Sequence, residues 1–81
     1  MFYVYILFSE SFNRYYIGMT ERINERLLEH NTGKMQSTKP YVPWKLVYHE
    51  LFGNRKEARD REKYFKSAAG RRWRKKNIMA P

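Results

Sequence analysis

The chain has 81 residues, 42% of them hydrophobic and 17% aromatic, with seven tyrosines, no cysteine and a net charge of +9. That length holds one domain, over residues 1–81, and its aromatic content excludes a disordered tract. Zero cysteines exclude a disulfide framework and a thiolate zinc site, and no stretch approaches the roughly 20 apolar residues that cross a bilayer.

Met1 leads straight into strand-like residues and lacks the charged-then-apolar pattern of a secretion signal, so a cytoplasmic location without membrane attachment is expected. The charge is one-sided. Residues 1–53 carry six basic and five acidic side chains, a net of +1, whereas residues 54–81 carry eleven and three, a net of +8. Such a field concentrates polyanions, and phosphate backbones are the commonest of them. A solvated basic helix face, or attraction to anionic lipid, would give the same composition.

Taken in chain order, Phe2 to Phe8 and Arg14 to Met19 predict two strands, because aromatic and β-branched residues suit a pleated surface. Ser9 to Asn13 between them is a hairpin loop. Tyr3, Tyr5 and Leu7 face one way, and Phe2, Val4, Ile6 and Phe8 the other. With both faces apolar, this strand belongs in the centre of its sheet. Gly18 leaves space beside Tyr16, as happens where a ligand or another backbone comes close.

Thr20 is the expected N-cap of a helix from Glu21 to Asn31, with Ile23, Leu27 and Leu28 inward and Gly33 as its stop. Arg22, Arg26 and His30 recur every four residues and form a row beside that stripe. Lys34 to Pro43 is a loop, made mildly basic by Lys34 and Lys39. Trp44 to Phe52 is a third strand, in which His49 is read as structural. Asn54 with Glu57 resembles a capping box for a helix from Arg55 to about Ala69, stopped by Gly70.

That helix has an inward row of Ala58, Glu62, Phe65 and Ala69. Glu62 therefore breaks an apolar stripe, where a carboxylate is costly unless paired or metal-bound. Pairing with Arg59, Lys63 or Lys66 and a functional role are equally open on spacing. The tail from Arg71 to Asn77 predicts a last short helix docked by Trp73, its cations outward.

No P-loop, Gly-rich dinucleotide turn, Cys/His cluster or nucleophile elbow is present. Tyr, Arg, His and one Glu on separate elements remain. Phosphodiester hydrolysis needs an activated water and charge relief on the phosphate, often from a divalent cation. One carboxylate can hold Mg²⁺, which keeps several of its waters, and arginine's permanently charged fork suits phosphate. A tyrosine serves as base only if its pKa of about 10 is lowered.

Tyr3-Val4-Tyr5, Tyr16-Ile17-Gly18, Arg26, His30 and Glu62, in that order, resemble the GIY-YIG nuclease family, and more narrowly its small stand-alone bacterial members. Tyr-Tyr-Ile-Gly-Met-Thr, Arg-Leu-Leu-Glu-His-Asn, Pro-Trp-Lys-Leu-Val-Tyr and Arg-Glu-Lys extend the likeness over about residues 2–75. The resemblance implies an α/β (α+β) fold, a three-stranded antiparallel sheet flanked by helices in the order β-β-α-β-α-α, which is also the order read above. It implies an endonuclease that hydrolyses DNA phosphodiesters with a single Mg²⁺ or Mn²⁺, in DNA repair or recombination. By motif, Tyr5 would be the general base, Tyr16 would position water or phosphate, and Arg26 would stabilise the transition state. His30 would be an alternative base or proton shuttle, and Glu62 the sole protein ligand to the metal.

Lys39, Arg71, Arg72, Lys75 and Lys76 are the expected nucleic-acid contacts, with DNA the partner and RNA the alternative. A larger repair partner would supply specificity. The chain departs from the family pattern in two places. Tyr3 stands where the family name has Gly, and Asn77 is the only candidate for a late catalytic Asn, in a context that does not match. A catalytically idle nucleic-acid-binding module of a larger assembly is the competing reading.

Overall fold

The computed structural model describes residues 1–78, so the last three positions of the expected 1–81 domain lie outside the described residues. Strands β1 (Phe2–Ser9), β2 (Arg14–Thr20) and β3 (Lys45–Phe52) form one antiparallel sheet in the order β2-β1-β3. Helix α1 (Ile23–Asn31) follows β2, a 3-10 turn (Lys39–Tyr41) precedes β3, and α2 (Arg55–Lys66) and α3 (Ala68–Asn77) close the order β-β-α-β-α-α. The expected fold class is therefore the observed one.

β1 is central, as its two apolar faces require. Val4 and Ile6 pack with Ile17, Ala58 and Phe65 in one buried cluster, joined by Val47, Tyr48 and Trp73. Tyr5 and Leu7 pack on the opposite side with Trp44, joined by Tyr16, Ile23, Leu27 and Leu46. α2 and α3 thus cover one face, and α1 with its following loop covers the other. A bulge in β3 between the partners of Ile6 and Leu7 sets Val47 out of register. Leu46 and Val47 therefore join opposite clusters while Val47 and Tyr48 join the same one.

Four local expectations change. α1 begins at Ile23, because Thr20 stays in β2 and its Oγ1 accepts the Arg22 N–H (3.1 Å) instead of capping a helix from Glu21. Leu28 is 64% exposed, and His30, fully buried, takes the inward position expected for it. The end of α1 is as read: Lys34 N–H donates to the Glu29 carbonyl (3.1 Å) and Gly33 N–H to that of His30 (3.4 Å), with Gly33 at φ +78°.

α2 carries the expected Asn54 cap, whose Oδ1 accepts the Glu57 N–H (2.9 Å). It ends at Lys66, not near Ala69. Ser67, at ψ 174°, breaks the helix, and its Oγ accepts the Gly70 N–H (3.2 Å) to start α3. Gly70 is buried within α3, where a Cβ would overlap the Tyr64 carbonyl and the Phe65 backbone, so it permits close approach of two helices instead of stopping one. Trp73 docks as expected, its ring centroid 4.8 Å from Tyr48 and 4.9 Å from Phe65. Among the described residues no helix is long and apolar enough to cross a membrane.

Candidate active site

Tyr5 leaves the central strand towards α1 and lies across its β2 partner, Gly18. A Cβ at Gly18 would overlap the Tyr5 phenol. The glycine therefore makes room for the Tyr5 ring, and not for the ligand or second backbone that its sequence context suggested. The Tyr5 hydroxyl ends 3.0 Å from His30 Nε2, and His30 Nδ1 lies 2.9 Å from Thr38 Oγ1.

These contacts select the tautomer. Thr38 Oγ1 donates its proton to the Met35 carbonyl (3.3 Å), so it accepts from the Nδ1–H of His30. Nε2 is then unprotonated and accepts from the Tyr5 hydroxyl. His30 and Thr38 are both fully buried. The loop bearing Thr38 is itself tied down: Trp44 Nε1 donates to the Thr38 carbonyl (2.9 Å), and Asn31 Nδ2 to the Trp44 carbonyl (3.0 Å).

Tyr16 comes from β2 onto the same face, its ring centroid 4.8 Å from that of His30 and 6.3 Å from that of Tyr5. Arg26 sits one turn before His30, half-buried, with its Nε 3.4 Å from Glu29 Oε1 and its Nη1 donating to Met35 Sδ (3.7 Å). Arg22, the third member of the expected row, is exposed and pairs with Glu25 at 2.8 Å. It does not join the site.

Electrostatics follow from burial. Burial, with the neighbouring Tyr16, holds the Tyr5 hydroxyl well above the ordinary phenol range; Arg26 opposes this, and Glu62 and Glu29 add to it. Burial and then Arg26 push His30 below its usual value, with Glu29 opposing. Both groups are thus neutral near pH 7, and Tyr5 does not have the lowered pKa that a lone tyrosine base requires.

Glu62 stands on α2, which packs on the opposite sheet face, yet its charge still acts on the Tyr5 hydroxyl. Its side chain is 21% exposed and accepts from the exposed Lys66 Nζ at 3.3 Å, one of the pairings its spacing allowed. Among the described residues no three His, Cys, Asp or Glu side chains gather as a metal cage. A lone, partly buried carboxylate suits an ion such as Mg²⁺ that keeps most of its waters.

The basic candidates are all exposed: Lys39 opens the 3-10 turn, and Arg71, Arg72, Lys75 and Lys76 lie along α3. Asn77 is exposed at the end of α3, where its Nδ2 donates to the Trp73 carbonyl (2.8 Å), and it does not meet Tyr5 or His30. His49 is exposed on β3, edge-on to Tyr3 at 5.6 Å. Two residues escaped the sequence reading. Thr38 lies in an irregular loop that no periodicity marks, and Arg74 turns inward from a run of cations, its guanidinium 4.3 Å over the Tyr15 ring.

Residues 1–77 match the family described as the GIY-YIG catalytic domain. The chain is similar to a UPF0213 protein of Clostridium perfringens, 42% identical over 67 residues, covering 82% of this chain and 71% of that protein. A UPF0213 protein of Bacillus licheniformis is 44% identical over 52 residues, and there the match spans 63% of this chain and 54% of its relative. Among solved structures, the solution structure of a UPF0213 protein from Bacillus halodurans superposes with a TM-score of 0.54 at 30% identity, covering 90% of this chain and 81% of that one.

Proposed function

The chain belongs to the GIY-YIG catalytic-domain family, a nuclease-type family, and from that premise we propose that it is an endonuclease that hydrolyses DNA phosphodiester bonds with one divalent ion, Mg²⁺ or Mn²⁺. The observation that carries the reading is the buried chain Tyr5–His30–Thr38, with hydrogen-bond lengths of 3.0 and 2.9 Å. A tyrosine kept neutral by its surroundings is a poor base alone. Linked to His30 Nε2, it can pass its own proton to the imidazole while it accepts one from the attacking water. Tyr5 is then the relay and His30 the terminal acceptor, so the two roles considered for them become one.

The imidazolium formed keeps its Nδ1–H bond to Thr38. Arg26, whose charge already reaches both Tyr5 and His30, relieves negative charge on the phosphate, and Tyr16 orients the water or phosphate beside them. Glu62 would hold the divalent ion, which when bound supplies further charge relief at the phosphoryl oxygens. The test is incubation with branched, nicked and plain DNA in Mg²⁺ or Mn²⁺. Cleavage that a chelator abolishes and that Glu62→Ala loses is the expected outcome. Persistent cleavage in Glu62→Ala removes its metal role, and binding without turnover under either ion indicates the idle module.

A further inference from the structure

The tyrosine–histidine cluster sits midway along β2, and clefts lined by arginines lie at that strand's two ends. At the Arg14 end a groove of about 500 Å³ separates β2 from α3; Arg14, Lys66, Arg71 and Arg74 line it, and it shares Tyr16 with the site. A second groove of about 470 Å³ continues it through Arg71 and Arg74. Among the described residues no carboxylate lines either groove. Arg74 is held over Tyr15, and its buried Nε has no hydrogen-bond partner among the described residues. Lys66 already pairs with Glu62 at 3.3 Å. Arg14, Arg71 and Arg74 have no carboxylate partner among the described residues, and with one of them short of an acceptor the groove lacks an anion.

At the Thr20 end a smaller cleft of about 200 Å³ joins Met19 and Thr20 to Arg22, Arg26 and Arg55, with Glu21 at its side. Arg55 comes from the start of α2 and rests 4.9 Å over the Phe2 ring. α3 lies on the sheet face opposite Tyr5, but β2 is an edge strand. Its seven residues span about 20 Å, so the two arginine clusters flank Tyr16 and Gly18 along that edge.

The geometry points to a strand path along β2: one phosphodiester backbone, as a single strand, is held by Arg14, Arg71 and Arg74 on one side of the reacting position and by Arg55 on the other. This rests on the nuclease reading for what happens in the middle, but not for the binding itself. The path also revises the basic candidates. It draws Arg14, Arg55 and Arg74 into contact and leaves Lys39 and Lys76, which line none of the three clefts, outside it.

Fluorescence anisotropy of a labelled single-stranded oligonucleotide, titrated with salt, tests the path. Arg14→Ala with Arg71→Ala is expected to weaken binding about tenfold at low salt and to lower the slope of log K against log salt by about 1.4, two contacts at about 0.7 each. Arg55→Ala should lower it by about 0.7. All three residues are exposed, so the variants should fold, which a thermal melt checks. Lys56→Ala, exposed and paired with Asp60 at 3.0 Å, should change neither quantity. Unchanged slopes at either end overturn the path, as does an equal loss in Lys56→Ala, and binding of duplex alone overturns the single strand. Cleavage with unaltered slopes removes the path and leaves the nuclease. The expected slopes with no cleavage under any ion do the reverse.

Discussion

On one face of β1, Val4 and Ile6 meet Ile17, Ala58 and Phe65 in an apolar layer. On the other, Tyr5 and Leu7 meet Trp44, and the Tyr5 hydroxyl bonds His30, which in turn bonds Thr38, two polar residues at 0% exposure. Successive residues of a single strand thus feed two layers with different tasks. The apolar layer gains free energy in proportion to area removed from water. The polar layer gains little net from each hydrogen bond, but loses if any partner is removed, so its geometry is rigid and defined. The contrast predicts that substitutions on the two faces separate chemistry from stability.

The largest expected effect is on the polar face. Tyr5→Phe keeps the ring over Gly18 and removes only the hydroxyl, so single-turnover cleavage should fall by about 10³-fold, within the range for a lost acid–base group. Its stability should fall by about 1–3 kcal/mol, since the buried His30 Nε2 is left without a donor, which a urea melt measures. Cleavage at the wild-type rate would break the relay and with it the division of labour between the faces.

Phe65→Ala is the mirror experiment. Phe65, on α2, is fully buried and contacts Tyr48 of β3 and Trp73 of α3, so its truncation should cost about 3–5 kcal/mol. A domain of this size has about 5–15 kcal/mol in all, so a denaturant melt should show a large shift. The fraction still folded should cleave at an unimpaired rate. A loss below about 1 kcal/mol would mean that stability resides elsewhere, and a loss of intrinsic rate would mean that the layers are coupled.

Much of this division was legible in the sequence. Alternation in Phe2 to Phe8 placed β1 in the centre, and the ordered tyrosines, Arg26, His30 and Glu62 named the candidate site. What was not legible has physical causes. Leu28 and His30 differ by two positions on a short helix, and hydrophobicity alone favoured the leucine. A buried hydrogen bond from each side of the imidazole reversed that choice, and one of its partners, Thr38, lies in a loop without periodicity. Gly70 carried a stop signal, yet a glycine can also serve close packing, and only the position of Tyr64 and Phe65 decides which. Arg74 is indistinguishable in composition from the exposed cations around it, because its inward aim depends on the break at Ser67 that sets the phase of α3.

The smallest expected effect follows from titration of the polar face. Burial and the Arg26 charge hold His30 below its usual pKa of 6.5, so between the folded value and 6.5 the unfolded chain binds the extra proton. Stability then rises with pH across that interval. Its contribution is complete above 6.5 and is lost as pH falls towards the folded pKa. Thermal melts should therefore show a lower midpoint at pH 5.5 than at 7.5, and His30→Gln, though less stable throughout, should flatten that part of the dependence. Glu50 does not interfere. Burial works against its ionisation, but hydrogen bonds from Arg61 and Tyr48 outweigh it and hold the carboxyl below its usual 4.5, so its window lies lower still. Cleavage should survive further into acid than the stability increment does, because the relay fails only when His30 is protonated in the folded protein. If both quantities instead fall together around 6.5, the histidine is not shielded in the fold, and the polar face lacks the buried acceptor on which its contrast with the Phe65 layer depends.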